Sequence, residues 1–295
     1  MIKVLLLGSS GQIGSSLCSV LSSKYNLICP TREVLDLQKG KDISSFVRDT
    51  NPDLLINAAA YTNVDAAERN ILIAQNLNSV LVQKLVEVAN DLLIPLVHFS
   101  TDYVFDGNKD VNNFEPYTEE DKPNPLNVYG KTKLEGDLFV INNCNQYTIF
   151  RTSWLYGNGT NFPRTIHEVI AKIRKENLKK EISVVNDQFG SPTNSLDVAN
   201  VVSQFMERGS VFNRKELYNL SSLGYCSWYD FACFITKVEN ISDIKVVPIK
   251  ASQYISTAKR PKVSVLNCKK LLGKSLLLPT WEKAYEQNNY SWKSF

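Results

Sequence analysis

Residues 2–7 form an apolar run broken only by Lys3, the pattern of a strand buried on both faces of a parallel sheet. Over residues 12–23 the spacing changes, and Ile13, Leu17, Val20 and Leu21 recur at helical intervals. The chain therefore opens as strand, glycine turn and helix. Short apolar runs return at residues 27–29, 54–56, 93–99 and 147–150, and a long helix-compatible stretch fills residues 71–92. This alternation predicts an α/β fold with a doubly wound, Rossmann-like parallel sheet.

Beyond about Arg151 the pattern loosens. A helix is expected over 162–177, then an apolar strand at 181–185 and an ordered loop at 189–192. Short strands follow at 216–220 and 244–249, with a helix near 228–238 and an aromatic stretch around Pro279, Trp281 and Tyr285. The expected organisation is a dinucleotide-binding domain over 1–150 and, over 151–295, mainly a smaller mixed α/β substrate domain. The latter would cover the carboxyl ends of the strands, where open α/β sheets bind ligands, and a segment of about 195–220 would return to the first domain.

Composition narrows the function classes. The chain has 295 residues, 43% hydrophobic and 21% charged, with a formal net charge of +3. The basic residues are scattered, and Lys172, Arg174, Lys175, Lys179 and Lys180 read as one solvated helix face, so no nucleic-acid partner is expected. The 6 cysteines contain no C-x-x-C pair and the 2 histidines stand apart, which gives no metal framework. No apolar run approaches the roughly 18 residues that span a bilayer, and no leader is visible; a cytoplasmic protein with free thiols is expected.

Two places carry chemistry. Gly8, Gly11 and Gly14, between the first strand and helix, allow a tight turn and close approach of backbone to a pyrophosphate at a helix N-terminus. After the second strand stands Arg32, which suits a 2′-phosphate and favours NADPH, with NADH also possible; the nearby acids are Glu33 and Asp36. The small residues from Asn57 to Ala60 would let a cofactor lie against backbone. Tyr129 and Lys133 are four positions apart, on one face of a helix. A phenol donates a proton near neutrality if its pKa falls by roughly three units, and a nearby ammonium favours that shift. Ser100 and Thr101 follow a strand directly, where a hydroxyl meets the crevice and can bind a carbonyl oxygen.

In order and company these segments resemble the extended short-chain dehydrogenase/reductases, and within them the dTDP-4-dehydrorhamnose reductase family. The resemblance rests on Gly8 to Gly14, Asn57 to Asp65, Ser100-Thr-Asp-Tyr-Val-Phe-Asp-Gly107, Pro125 to Glu135, Arg151 to Tyr156, Asn186 to Thr193 and Arg260 to Ser264. It implies a catalytic Thr101, Tyr129 and Lys133, with Tyr129 as proton donor. It implies cofactor contacts from Gly11, Gln12, Ile13, Asp36, Ala60, Tyr61 and Thr62, and nucleotide-sugar contacts from Asp102, Tyr103, Trp154 and Arg260. The implied activity is NAD(P)H-dependent reduction of the C4 keto group of dTDP-4-dehydro-L-rhamnose to dTDP-L-rhamnose, with a homodimer as a possible assembly. The same constellation serves reductases of other nucleotide-linked 4-keto sugars, and the regulatory subunit of methionine adenosyltransferase is similar in fold. Some family members bind magnesium through glutamates at a dimer contact. Ser16 and Leu196 stand at two of those positions, which argues against magnesium here.

Overall fold

Strand β1 (Lys3–Leu7) buries Val4 and Leu6 on one face and Leu5 and Leu7 on the other, so both faces require a layer of helices. In the computed structural model, which describes residues 1–38 and 43–288, these layers enclose a six-stranded sheet. Its spatial order is β2 (Asn26–Ile28), β1, β3 (Leu54–Asn57), β4 (Leu96–Thr101), β5 (Tyr147–Thr152) and finally Lys215–Asn219. Every neighbouring pair is parallel. From β1 the chain goes to β2 on one side and then to β3 on the other. The crossovers diverge there, leaving a crevice at the carboxyl ends of β1 and β3.

One layer joins α1 (Gln12–Leu21) to the Ser195–Glu207 helix, with Leu17, Leu21, Val198, Val202 and Phe205 packed on Val4, Leu6 and Phe150. The other is built from the Ile43–Thr50, Leu81–Asp91 and Val128–Asn143 helices, whose Val47, Leu85 and Val140 meet Leu5, Leu7 and Ile149. The rest of the chain has its own core around Ile166, Ile170, Ile182, Phe231, Ile235 and Tyr285. There Glu181–Val185 pairs in parallel with Lys245–Ile249, beneath the Phe162–Glu176 and Trp228–Val238 helices.

Two expectations need correction. The stretch expected as one helix over 71–92 is α-helical at Ile71–Gln75 and Leu81–Asp91, but Asn76–Val80 between them is a π-turn. Its cause is polar: Asn78 is fully buried, and its amide leaves the helix to bond Tyr61 N (2.8 Å), Tyr61 O (3.2 Å) and Thr132 Oγ1 (3.0 Å). Gly136 lets the neighbouring helix approach, since a Cβ there would lie 2.3 Å from the Asn78 carbonyl oxygen. The loop expected at 189–192 begins as a strand, Phe189–Gly190, antiparallel to Cys226–Ser227. Phe189 N donates to Lys262 O (2.7 Å) and Phe189 O accepts from Ser264 N (2.9 Å), so its backbone polar groups are paired.

Phe205 is fully buried, edge-on to Phe150 at 5.5 Å and to Tyr218 at 5.3 Å, and ties the Ser195–Glu207 helix to the last two strands of the sheet. Phe205→Ala should cost about 3–5 kcal/mol in urea unfolding. A loss below about 1 kcal/mol would mean that this helix is not part of the sheet's core.

Candidate active site

Leaving β1, the chain turns through Gly8 at φ +81°. A Cβ on Gly8 would come within 2.5 Å of Ala59 N, and one on Gly14 within 2.0 Å of Gly8 O, so neither position admits a side chain. Gly11 is the N-cap of α1 and supplies no side-chain cap, which leaves first-turn N–H groups to an anion at the positive end of the helix. The turn walls a cleft of about 570 Å³, bounded also by Ala58 to Ala60 and residues 29–38. Gly8, Gly11, Arg32, Asp36 and Ala60 line it. Arg32 donates to Gln38 Oε1 at 2.9 Å and lies 3.5 Å from Asp36 Oδ2. The other proposed cofactor residues sit differently. Gln12 reaches Thr160 O (3.2 Å), Ile13 is buried in the core, the Tyr61 N–H is held by Asn78, and Thr62 is exposed.

Thr101 ends β4 and caps a short 3₁₀ turn, accepting from Tyr103 N (3.1 Å) and donating to Asp102 Oδ1 (3.1 Å). Asn127 caps the Val128–Asn143 helix by accepting from Gly130 N (2.8 Å), while its amide donates to Lys259 O (2.8 Å). These caps place Tyr129 and Lys133 one above the other in the first turns. The Tyr129 hydroxyl pairs with Thr101, and its ring packs edge-on to Tyr103 at 5.9 Å. Lys133 is buried, its Nζ donating to Phe99 O (2.6 Å) and lying 3.3 Å from His98 Nε2.

The electrostatics correct one sequence argument. The Lys133 ammonium does not bring the Tyr129 phenol toward neutrality; burial pushes that pKa up to about 12, with Asp102 and Asp137 adding to the rise and the Thr101 hydrogen bond opposing it. Tyr129 is thus held protonated near neutral pH. Burial lowers Lys133 to about 8, against the pull of Asp137.

Beneath the pair lies a buried polar cluster, with Asp137 and His98 fully shielded from solvent. Asp137 accepts from Ser100 Oγ at 2.6 Å and lies 3.6 Å from Arg151 Nε and 3.7 Å from His98 Nε2. Asn57 Oδ1 accepts from Ala59 N (3.1 Å), so its Nδ2 is the group that faces His98 Nδ1 at 3.1 Å. Burial and Lys133 hold His98 well below its ordinary pKa. A neutral ring with Nδ1 as acceptor carries its proton on Nε2, facing Lys133 and Asp137. Asp102 is also buried; desolvation raises it to about 6 while Ser264, Ser153 and Thr101 pull it down, and Ser153 Oγ donates to its Oδ2 at 3.1 Å.

A second cleft, about 610 Å³, is lined by Asp106, Gln188 and Tyr254 and by three cations, Lys259, Arg260 and Lys262. Its cationic wall hangs on Asp65. That carboxylate accepts from Ser256 Oγ, Thr257 N and Ala258 N, each at 2.9 Å, and from Arg260 Nη2 at 2.6 Å. Burial would raise Asp65, but these donors hold it well below the usual carboxylate range. Arg260 also reaches the Tyr103 hydroxyl. Trp154 adopts φ +42°, and its ring stacks on Trp228 with centroids 3.4 Å apart and planes 1° from parallel, so one indole face is already covered.

Sequence reasoning did not single out His98, Asn78, Asp137 or Asp65. His98 stands alone in the sequence because its partners come from β3 and from the Val128–Asn143 helix. Asp137 had a legible signal: it follows Lys133 by four positions and so continues the face that begins at Tyr129.

The model of the RmlD substrate binding domain family matches residues 2–290. The dTDP-4-dehydrorhamnose reductase of Salmonella typhimurium is 36% identical, over 95% of this chain and 94% of that protein. Among solved structures, a dTDP-4-dehydrorhamnose reductase from Clostridium acetobutylicum superposes with a TM-score of 0.88 at 34% identity, covering 97% of this chain and 98% of that one. The Bacillus anthracis dTDP-4-dehydrorhamnose reductase, solved in complex with NADP, gives 0.87 at 33% identity with the same coverage. Among the described residues no group of three or more His, Cys, Asp or Glu side chains could hold a metal ion, and no helix is long and apolar enough to cross a membrane.

Two outcomes follow from this geometry. Lys133 is lowered from 10.5 to about 8 in the folded chain, so between those values the unfolded chain binds more protons and stability rises with pH. Urea unfolding of wild type against Lys133→Met should show the wild type gaining on the variant across that range; parallel curves would mean that the ammonium is not desolvated. Asp65→Ala should speed amide hydrogen exchange at residues 256–260 by about tenfold or more while leaving β4 and β5 protected. Unchanged exchange would show that the carboxylate does not hold this segment.

Proposed function

The chain belongs to the dTDP-4-dehydrorhamnose reductase family, and we propose that it reduces the C4 keto group of dTDP-4-dehydro-L-rhamnose to give dTDP-L-rhamnose at the expense of NADPH, with NADH as a weaker substitute. The observation that carries this reading is the convergence of Thr101, Tyr129 and Lys133 at the carboxyl end of β4, in a fold whose glycine turn after β1 leads into an uncapped helix start at an open cleft. The fit of a dinucleotide rests on that turn: Gly8, Ser9, Ser10 and Gly11 line the cleft with backbone, and the uncapped helix start faces it.

In this reading Gly8, Gly11 and the first turn of α1 hold the pyrophosphate, and Arg32 with Asp36 meets the adenosine ribose end. Ala60, Tyr61 and Thr62 border the cofactor. When bound, the reduced nicotinamide supplies the hydride. Tyr129, kept protonated by burial, gives its proton to the C4 oxygen as negative charge grows there. The Thr101 hydroxyl, which donates to Asp102 in the free protein, turns that proton to the same oxygen and fixes the carbonyl. Lys133, anchored on Phe99 O, binds the cofactor ribose.

Asp102 acts from below, through Thr101 and Ser153, rather than by direct contact. Arg260, bonded to the Tyr103 hydroxyl, and the lysines beside it form the wall for the sugar nucleotide, with the cations matched to its diphosphate. Trp154, stacked on Trp228, closes the sugar side. Every assigned group comes from one chain, so a homodimer is not required for the chemistry. The six free cysteines suit a reducing cytoplasm.

The test is loss of reduced-nicotinamide absorbance with NADPH and dTDP-4-dehydro-L-rhamnose, with UDP- and GDP-linked keto sugars as comparators. Tyr129→Phe should lower kcat by about two to four orders of magnitude with cofactor affinity nearly unchanged. Turnover confined to another nucleotide sugar would keep the mechanism and replace the substrate. Tight NADPH binding without turnover of any keto sugar would overturn the reading.

A further inference from the structure

The cofactor cleft contains a pair of thiols with no part in the mechanism above. Cys18, on α1, and Cys29, just after β2, both line it, and both are partly accessible. Their sulfurs are 3.0 Å apart, about 1 Å beyond the length of an S–S bond. The other four cysteines, Cys144, Cys226, Cys233 and Cys268, do not line this cleft.

We propose that Cys18 and Cys29 are a modification site that closes reversibly to a disulfide with a low-molecular-weight disulfide as oxidant, and that closure weakens cofactor binding. Burial, reinforced by the neighbouring Cys18 sulfur, pushes the Cys29 thiol up to about 12, so Cys29 keeps its proton and Cys18 reacts first. The Cys18 thiolate attacks one sulfur of the small disulfide, forming a mixed disulfide and releasing one thiolate, which takes up a proton. Cys29 then loses its proton and attacks Cys18 Sγ, and the second small thiol leaves. The two protein thiols have given up two electrons and two protons, and the small disulfide has become two thiols.

The link to the cofactor is mechanical and rests on the reading of this cleft given above. Forming the bond draws Cys29 toward α1. The next residue is Pro30, whose ring fixes φ and leaves only ψ to adjust, so much of the displacement passes to Thr31 and Arg32. Arg32, with its partners Asp36 and Gln38, forms the end of the cleft assigned to the adenosine ribose. Coupling of this kind is reciprocal, so bound cofactor should slow closure.

The experiment treats wild type, Cys18→Ser and Cys29→Ser with oxidised glutathione and reads each by peptide mass and by NADPH affinity. Wild type should yield the cross-linked peptide pair, with NADPH bound about tenfold more weakly and full recovery in reductant. Cys29→Ser should stop at a glutathione adduct on Cys18, and neither variant should form the cross-link. Absence of the cross-link in wild type, or a cross-linked protein that binds NADPH as well as the reduced one, would overturn the proposal. If the reduced protein binds no nicotinamide cofactor, the assignment of the cleft and its coupling to the disulfide fall together, while the cross-link is still decided by mass.

Discussion

A single buried carboxylate, Asp137, is the constraint on which the candidate site depends. It lies where the Val128–Asn143 helix crosses β4 and β5, and it compensates two cations, Lys133 and Arg151, that would otherwise be unpaired in the protein interior. Its hydrogen bonding is incomplete: Asp137 Oδ1 and Arg151 Nε and Nη1 have no hydrogen-bond partner among the described residues, and the guanidinium lies 5.3 Å from the Phe105 ring centre. Such a cluster adds little net stability, yet removing one member leaves a buried charge uncompensated, at about 3–5 kcal/mol. Its effect is to give the helix one acceptable position on the sheet. Tyr129 and Lys133, carried on the same face of that helix, inherit the position.

The site is joined to both clefts by polar bonds rather than by packing alone. Asn57 holds Ala59, in the wall of the first cleft, with its carbonyl and His98 with its amide, so that wall and the neighbourhood of Lys133 share one side chain. On the other side Asp65, only a few residues past the alanine segment, gathers four donors from residues 256–260, nearly two hundred positions away in the chain. The wall of the second cleft is therefore positioned from the element that borders the first.

What could be read in advance followed from local physics. Gly8, Gly11 and Gly14 between an apolar run and a helical period announced the turn, and the spacing of Tyr129 and Lys133 announced a shared helix face, because both signals lie within a few residues. What could not be read depended on partners distant in the chain. The π-turn at Asn76–Val80 arises from the bonds of Asn78 to Tyr61 and Thr132, and nothing in the apolar spacing of residues 71–92 encodes it. The elevated pKa of Tyr129 comes from desolvation, with Asp102 and Asp137 adding to it, whereas the sequence offered only the nearby lysine. The pairing of Phe189–Gly190 with Cys226–Ser227 was hidden because two-residue strands have no period.

The sixth strand of the sheet, Lys215–Asn219, has a consequence for the birth of the molecule. During synthesis β5 emerges more than sixty residues before its outer neighbour, and the segment between them first enters the other core before its Ser195–Glu207 helix packs on the sheet. Until that neighbour leaves the ribosome, the N–H and C=O groups of β5 remain an open edge beside Tyr147 and Ile149, able to pair with another nascent chain. The interval in which this protein is most exposed to aggregation is thus written into its topology, and it closes only when the chain returns from its excursion to complete the sheet.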